Sequence, residues 1–211
     1  MKFYDCQTAP SPRRARIFIA EKGLLDSMER IEVNLREKEQ MTPEFARVNP
    51  FLTVPVLELD DGTRLNNSLA IWRYLEEIHP EPPLMGRTPV EKAIVVQWQA
   101  RIEWDGIGAV GECLRNSAPG MAGRATTGKH SYEQIPELAE RGKLRATNFM
   151  ETLDEIIGDK PFVAGDAYSV ADIDALIFVD FTKWIKVEVP ESCGNVKRWH
   201  AQVSERPSAK L

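Results

Sequence analysis

The sequence predicts a small α/β domain, ordered β-α-β-α-β-β-α, followed by an all-helical domain. Strand and helix patterns alternate through the first 80 residues, prolines crowd positions 80 to 89, and strand patterns almost vanish beyond them. The expected boundaries are residues 1–80 for the first domain, 81–88 for the linker and 89–211 for the second.

Met1–Asp5 is short and apolar, a strand. Pro12 to Lys22 carries Ala15, Ile17, Phe18, Ile19 and Ala20 on a helical period, with Gly23 where a C-cap belongs. Pro12 suits the first helical position, which makes Ser11 the expected N-cap. In Met28–Leu35 the residues Ile31, Val33 and Leu35 alternate with polar ones, a second strand. Polar residues from Arg36 to Gln40 lead to a short helix at Pro43–Val48. Val54–Leu59 reads as a strand, Asp60-Asp61-Gly62 as a tight turn and Thr63–Leu65 as the return. Ser68 is expected to cap a helix through Leu69, Ile71, Trp72, Leu75 and Ile78 that stops at His79-Pro80. A helical crossover makes the first two strands parallel, and the closing hairpin is antiparallel. In the second half Val90–Leu114, Ile135–Ile157 and Asp166–Ile185 are helix candidates, and Pro119–Gly128 is a loop. Ser169 and Asp172, three apart, read as a capping box, with Tyr168 and Ile173 placed as a hydrophobic staple. That motif is a folding device.

The 32 acidic and 27 basic side chains leave a formal charge of −5, which removes the electrostatic case for a nucleic-acid partner. With 43% hydrophobic residues, five Trp and eight Phe, the chain can build a core and is not disordered. Apolar runs such as Ala175–Val179 fall far short of the ~20 residues that span a bilayer. The start meets Asp5 at once, without the apolar stretch of a secretion signal. The three cysteines, Cys6, Cys113 and Cys193, are odd in number and far apart, reading as reduced thiols. A cytoplasmic protein without membrane contact is the expectation. His79, His130 and His200 show no spacing for metal or triad chemistry, so no metal is expected.

Val54-Pro55-Val56 breaks the rule that proline cannot donate to a sheet ladder. A cis peptide between Val54 and Pro55 resolves it, turning the chain so that Val54 offers its N–H and C=O to an extended peptide. An edge-strand proline without a role is the alternative.

The run from Asn49-Pro50 through Val54-Pro55-Val56, Asp61-Gly62, Ser68 and Tyr74-Leu75 resembles the thioredoxin-like domain of the cytosolic glutathione S-transferases, of bacterial type. Phe162-Val163-Ala164-Gly165-Asp166, Ser169-Val170-Ala171-Asp172 and Arg206-Pro207-Ser208 match the family's helical second domain and its ending. The resemblance implies a thioredoxin-like N-terminal domain, glutathione as co-substrate, a small hydrophobic electrophile as second substrate, a role in detoxification and a homodimer. It also implies where the chemistry sits. A thiolate, not a thiol, is the nucleophile, and a helix N-terminus or a hydrogen-bond donor favours it. Ser11 stands where related enzymes place a residue beside the glutathione sulfur, with Cys6 and Thr8 as rivals; Cys6 also suits a mixed disulfide or a buried apolar role. Ser68, with its backbone N–H, would take the γ-glutamyl carboxylate at a positive helix end. Asn67 replaces the family's usual acid, so Asp105, from the same chain or a partner, is a second source of charge. Gln40 is a candidate for the glycyl carboxylate, Thr53 and Arg13 are weaker contacts, and Leu52 stands where glycine is common. The electrophile is expected between the domains, near Trp104 and Asp105 on the first long helix of the second half. A glutathione-dependent peroxide or disulfide reductase, an isomerase, or a non-catalytic binding protein of the same fold are the competing readings.

Overall fold

The computed structural model describes all residues, 1–211. They fall into two compact units, Met1–Pro82 with Thr127–His130 and Leu211, and Pro83–Thr126 with Ser131–Lys210.

The first unit runs β1 (Lys2–Asp5), α1 (Pro10–Glu21), β2 (Glu29–Glu32), α2 (Pro43–Val48), β3 (Val56–Glu58), β4 (Arg64–Leu65) and α3 (Ser68–Ile78). The strands form one sheet in the order β2-β1-β3-β4. β1 and β2 are parallel, with Phe3 opposite Arg30. β3 runs antiparallel to both β1 and β4. The element order is the one the patterns predict. The strands are shorter: β2 ends at Glu32, although the Val33 amide still donates to the Asp5 carbonyl at 2.7 Å and the Val33 side chain is buried. The Asp60-Asp61-Gly62 turn is closed by the Asp61 carboxylate, which accepts from the Thr63 amide at 2.8 Å. Gly62 adopts φ 86°, a left-handed conformation that glycine tolerates.

Phe3, Ile17, Phe18, Ile19, Val56, Leu57, Ile71, Trp72 and Leu75 are fully buried and bind α1 and α3 to the sheet. Phe18 stacks on Trp72 with ring centroids 5.8 Å apart. Lys22 closes the far end of α1: its ammonium, wholly buried, donates to the carbonyls of His79 (2.8 Å) and Pro82 (2.5 Å) and pairs with Glu76 (2.6 Å). It thus satisfies carbonyls at the C-terminal end of α3, where a cation is favoured. The Glu81–Pro82 peptide is cis.

The second unit is helical: α4 (Pro89–Arg101), a π-helical segment (Ile102–Ile107), α5 (Gly108–Ser117), α6 (Pro136–Ile157), α7 (Val170–Thr182) and α8 (Gly194–Ser204). The expected Val90–Leu114 helix is therefore continuous but widened in the middle, and α8 has no counterpart among the expected helices. Thr88 and Glu91 form a capping box at the start of α4. The Ser169–Asp172 box is present at the start of α7. Asp172, fully buried, accepts from the amides of Val163 (2.9 Å) and Ser169 (3.0 Å) and from the Trp199 indole (2.8 Å). It thereby joins the loop before α7, α7 itself and α8. Burial pushes its carboxyl up to about 6 against the pull of those donors. No helix is long and apolar enough to cross a membrane.

Candidate functional site

Asp5, at the end of β1, organises the loop that leads into α1. Its carboxylate takes the Arg16 guanidinium at 2.7 and 2.8 Å, both side chains being fully buried, and the Arg30 Nε at 2.7 Å. It also accepts from the Cys6 amide at 2.8 Å. Arg16 reaches on to the Gln7 carbonyl at 3.1 Å, the Gln7 amide donates to Glu32 at 2.9 Å, and Arg30 also holds the Gln7 side chain. Charge-assisted bonds of this kind fix geometry as well as energy. Sequence reasoning missed the network. Its signal was a lone Arg16 inside the apolar run Ala15–Ala20 and an acid ending an apolar strand.

α1 begins at Pro10, two residues earlier than predicted, with Ala9 as an N-cap that has no side-chain bond to give. Ser11 is thus the second helical residue and not the cap. Proline suits the first turn wherever its missing N–H would be unpaired anyway, and here Pro10 and Pro12 both exploit that. Ser11 consequently holds the one backbone N–H among the first three helical positions. Cys6 is buried, its Sγ 3.7 Å from the exposed Thr8 hydroxyl. Arg13 is half-buried, and Arg14 is buried with its guanidinium 5.3 Å from the Trp72 ring centre.

The Val54–Pro55 peptide is cis. β3 starts at Val56, so the proline precedes the strand and the ladder loses no donor. Before it, Asn49, fully buried, donates to the Thr53 carbonyl at 2.7 Å and the Thr53 hydroxyl at 3.0 Å, and accepts from the Phe51 amide at 3.0 Å. The turn puts Leu52 at φ 57°, in the left-handed region that glycine adopts most readily. Gln40 is buried in a short turn at Glu39–Met41, and its Oε1 has no hydrogen-bond partner.

At α3 the cap is Asn67 and not Ser68. Its Oδ1 accepts from the Ala70 amide at 2.8 Å, so the amide that stands in place of an acid serves as helix punctuation. Ser68 is the first helical residue, 5% exposed, and its hydroxyl donates to the Ser11 carbonyl at 3.1 Å. Two predicted residues thus meet, and with them the N-termini of α1 and α3.

In the second unit the π-helical segment leaves Trp104 76% exposed, while its carbonyl accepts from Arg145 at 2.8 Å. Asp105 is paired with Arg101 at 3.0 Å and Arg145 at 3.7 Å, so its charge is met within that unit. Burial raises the Cys113 and Cys193 thiols above their ordinary range, which disfavours the reactive thiolate. No three His, Cys, Asp or Glu side chains converge as metal ligands.

The glutathione S-transferase N-terminal domain model matches residues 8–78, and the C-terminal domain model matches residues 129–210. Glutathione S-transferase 2 of Saccharomyces cerevisiae is 34% identical over 210 residues, covering 100% of this chain and 88% of that protein. The crystal structure of Gtt2 from the same yeast superposes with a TM-score of 0.91 at 34% identity, covering 100% of this chain and 99% of that one. A glutathione S-transferase domain-containing protein of Marinobacter aquaeolei gives 0.90 at 35% identity, with 99% of each chain covered. With both domain models matched in order and this likeness running the length of the chain, the protein belongs to the glutathione S-transferase family.

Proposed function

We propose that the protein binds glutathione on its first unit and conjugates the bound thiolate to small hydrophobic electrophiles. The observation that carries this reading is the meeting of two helix N-termini at the Ser68–Ser11 hydrogen bond, 3.1 Å long. Glutathione brings a thiol that must ionise and a γ-glutamyl carboxylate, and each is favoured at the positive end of a helix. The Ser11 hydroxyl and amide suit the sulfur at the start of α1. The amides of Ser68 and Leu69, the two first-turn donors of α3 that Asn67 does not take, suit the carboxylate. Val54, whose N–H and C=O precede the sheet, suits the cysteinyl backbone; Gln40 suits the glycyl end, with Thr53 and Arg13 beside them. Cys6 and Thr8 remain the rival contacts to sulfur.

In the reaction, the thiol proton leaves to solvent and the sulfur lone pair forms a C–S bond to the electrophile. The leaving group departs with its bonding pair, or, in an addition, the neighbouring carbon gains a proton. Exposed Trp104 is the proposed apolar contact for the electrophile. A cytoplasmic location and a homodimer belong to the same proposal.

Ser11→Ala tests it. Loss of the hydroxyl should raise the bound thiol's pKa by about one unit and lower kcat/KM roughly tenfold at neutral pH, with a smaller deficit in alkaline buffer. An unchanged rate–pH profile refutes the assignment of Ser11. Failure of the wild-type protein to bind glutathione-agarose or to conjugate an aryl halide refutes the function.

A further inference from the structure

We propose that Arg115 and Arg124, in the second unit, form a binding site for a small molecule that carries a doubly charged oxyanion, a phosphate monoester or a dicarboxylate. The site is separate from the one proposed for glutathione on the first unit.

Arg115 lies in the last turn of α5 and Arg124 in the loop that follows, and both are half-buried. Arg115 donates from Nη1 to the Arg124 carbonyl at 3.0 Å, which holds the two residues together. That is the one hydrogen bond its guanidinium makes, although such a group carries five donors. Neither residue pairs with a carboxylate. Glu112, three residues before Arg115, is already held by Arg141 and by Arg145, the latter at 3.0 Å. Arg16, by contrast, leaves water only to meet Asp5 at 2.7 Å. Burial and the Arg124 charge both pull the proton affinity of Arg115 below the ordinary arginine range. Two like charges drawn together with no acid between them cost free energy, and an oxyanion removes that cost. The unbonded nitrogens of both guanidinium groups are open to solvent, so an anion can reach them.

The backbone around the pair is held in place. Gln134 donates from Nε2 to the Arg115 and Ala118 carbonyls, each at 2.8 Å, and so clamps the end of α5. The Arg124 amide donates to the Met121 carbonyl at 2.8 Å. On either side of it, the Ala125 amide donates to the Tyr132 carbonyl and the Tyr132 amide to the Gly123 carbonyl, both at 3.1 Å. The loop is thus fixed without help from the Arg124 guanidinium, which is left for another partner. A guanidinium fork matches two oxygens of a carboxylate or phosphate, and two forks side by side suit a group with two charges. A chain of net charge −5 draws no anion by its overall field, so recognition of one has to be local.

Isothermal titration calorimetry on the full-length protein, in mildly alkaline buffer at constant ionic strength, tests the site with inorganic phosphate, succinate and acetate as probes. Phosphate or succinate should bind with a Kd of about 1 mM or tighter, and acetate at least about tenfold more weakly. The better of the two dianions shows which group the site takes. Arg124→Gln should weaken that probe about tenfold. Arg115→Lys, which keeps the charge and loses the fork, should weaken it by about threefold or more. Arg36→Gln, the loss of one exposed positive charge in the first unit, is the control and should leave binding unchanged. Absence of phosphate and succinate binding overturns the proposal. So does a loss in Arg124→Gln no larger than in Arg36→Gln, or acetate binding as tightly as the dianions. If S-methylglutathione displaces the bound probe, the pair belongs to the tripeptide's own site and the separate site falls. Urea unfolding establishes that each variant is folded. Should Arg115→Lys not fold, Arg124→Lys replaces it with the same expected direction and the same refutation.

Discussion

Burying Asp5 and Arg16 side by side commits the first unit to keeping both. Removing Asp5 strands the Arg16 charge away from water, which typically costs about 3–5 kcal/mol, whereas removing Arg16 leaves Asp5 the Arg30 Nε at 2.7 Å and should cost less. In urea unfolding, Asp5→Ala should lower the free energy of unfolding by that order and Arg16→Met by less, and the double variant should lose less than the two losses added. Strict additivity in that double-mutant cycle would show that the pair is not coupled. Residues of this kind are hard to see in a sequence. The sequence pattern places Ser11 and Ser68 at caps because serine before an apolar period is ordinary helix punctuation. Their neighbours Ala9 and Asn67 hold those positions instead, since Pro10 starts α1 earlier and Asn67 reaches the Ala70 amide. Composition and spacing find helix ends to within a residue or two, and a tertiary bond between two ends is invisible to them.

Elements pack as closely as their smallest residues allow. A Cβ on Gly142 of α6 would lie 2.6 Å from the Cys113 nitrogen and 2.7 Å from the Ala109 oxygen, both in the backbone of α5. Gly142→Ala should therefore destabilise the second unit by about 1–3 kcal/mol. Gly111→Ala, where an added Cβ meets nothing, should stabilise α5 by up to about 1 kcal/mol, since alanine is the better helix former. Equal effects of the two on the thermal midpoint would contradict this packing. The start of α7 has a pH signature. Asp172 has a folded-state pKa of about 6, raised from 3.8, so between those values the folded protein binds the proton more tightly than the unfolded chain. Stability contributed by this group is then greatest below the unfolded value and falls as pH rises toward about 6, beyond which it is flat. Asp172→Asn should remove that slope in urea titrations across the interval. It should also cost about 3 kcal/mol or more at neutral pH, because an amide cannot accept from Val163, Ser169 and Trp199 together. A slope that persists unchanged in Asp172→Asn assigns it to another group. The capping box was legible because its two residues sit three apart. Its partner Trp199 on α8 was not, although Val196, Trp199 and Val203 are buried on one helical face and carry a period that could have been read.

For the molecule as a whole, the predicted element order and sheet directions match the structure because alternating and helical periods are local properties of the chain. The π-helical widening at Ile102–Ile107 has no counterpart in apolar spacing, and the left-handed backbone of Leu52 has none in its side-chain type. Sedimentation equilibrium should return twice the 23.9 kDa chain mass if the protein is the proposed homodimer, and the chain mass alone would refute that proposal. The net charge of −5 gives no general pull on an anionic tripeptide, so the proposed binding would rest on local donors such as the Ser11, Ser68 and Leu69 amides.

Thr127–His130 and Leu211 belong to the first compact unit although the chain reaches them only after passing into the second. Shuffling domains between relatives by one exchange near Pro82 would therefore deliver a foreign four-residue segment and a foreign terminus to a body evolved around its own. A faithful graft of the first unit needs four junctions in the gene, not one.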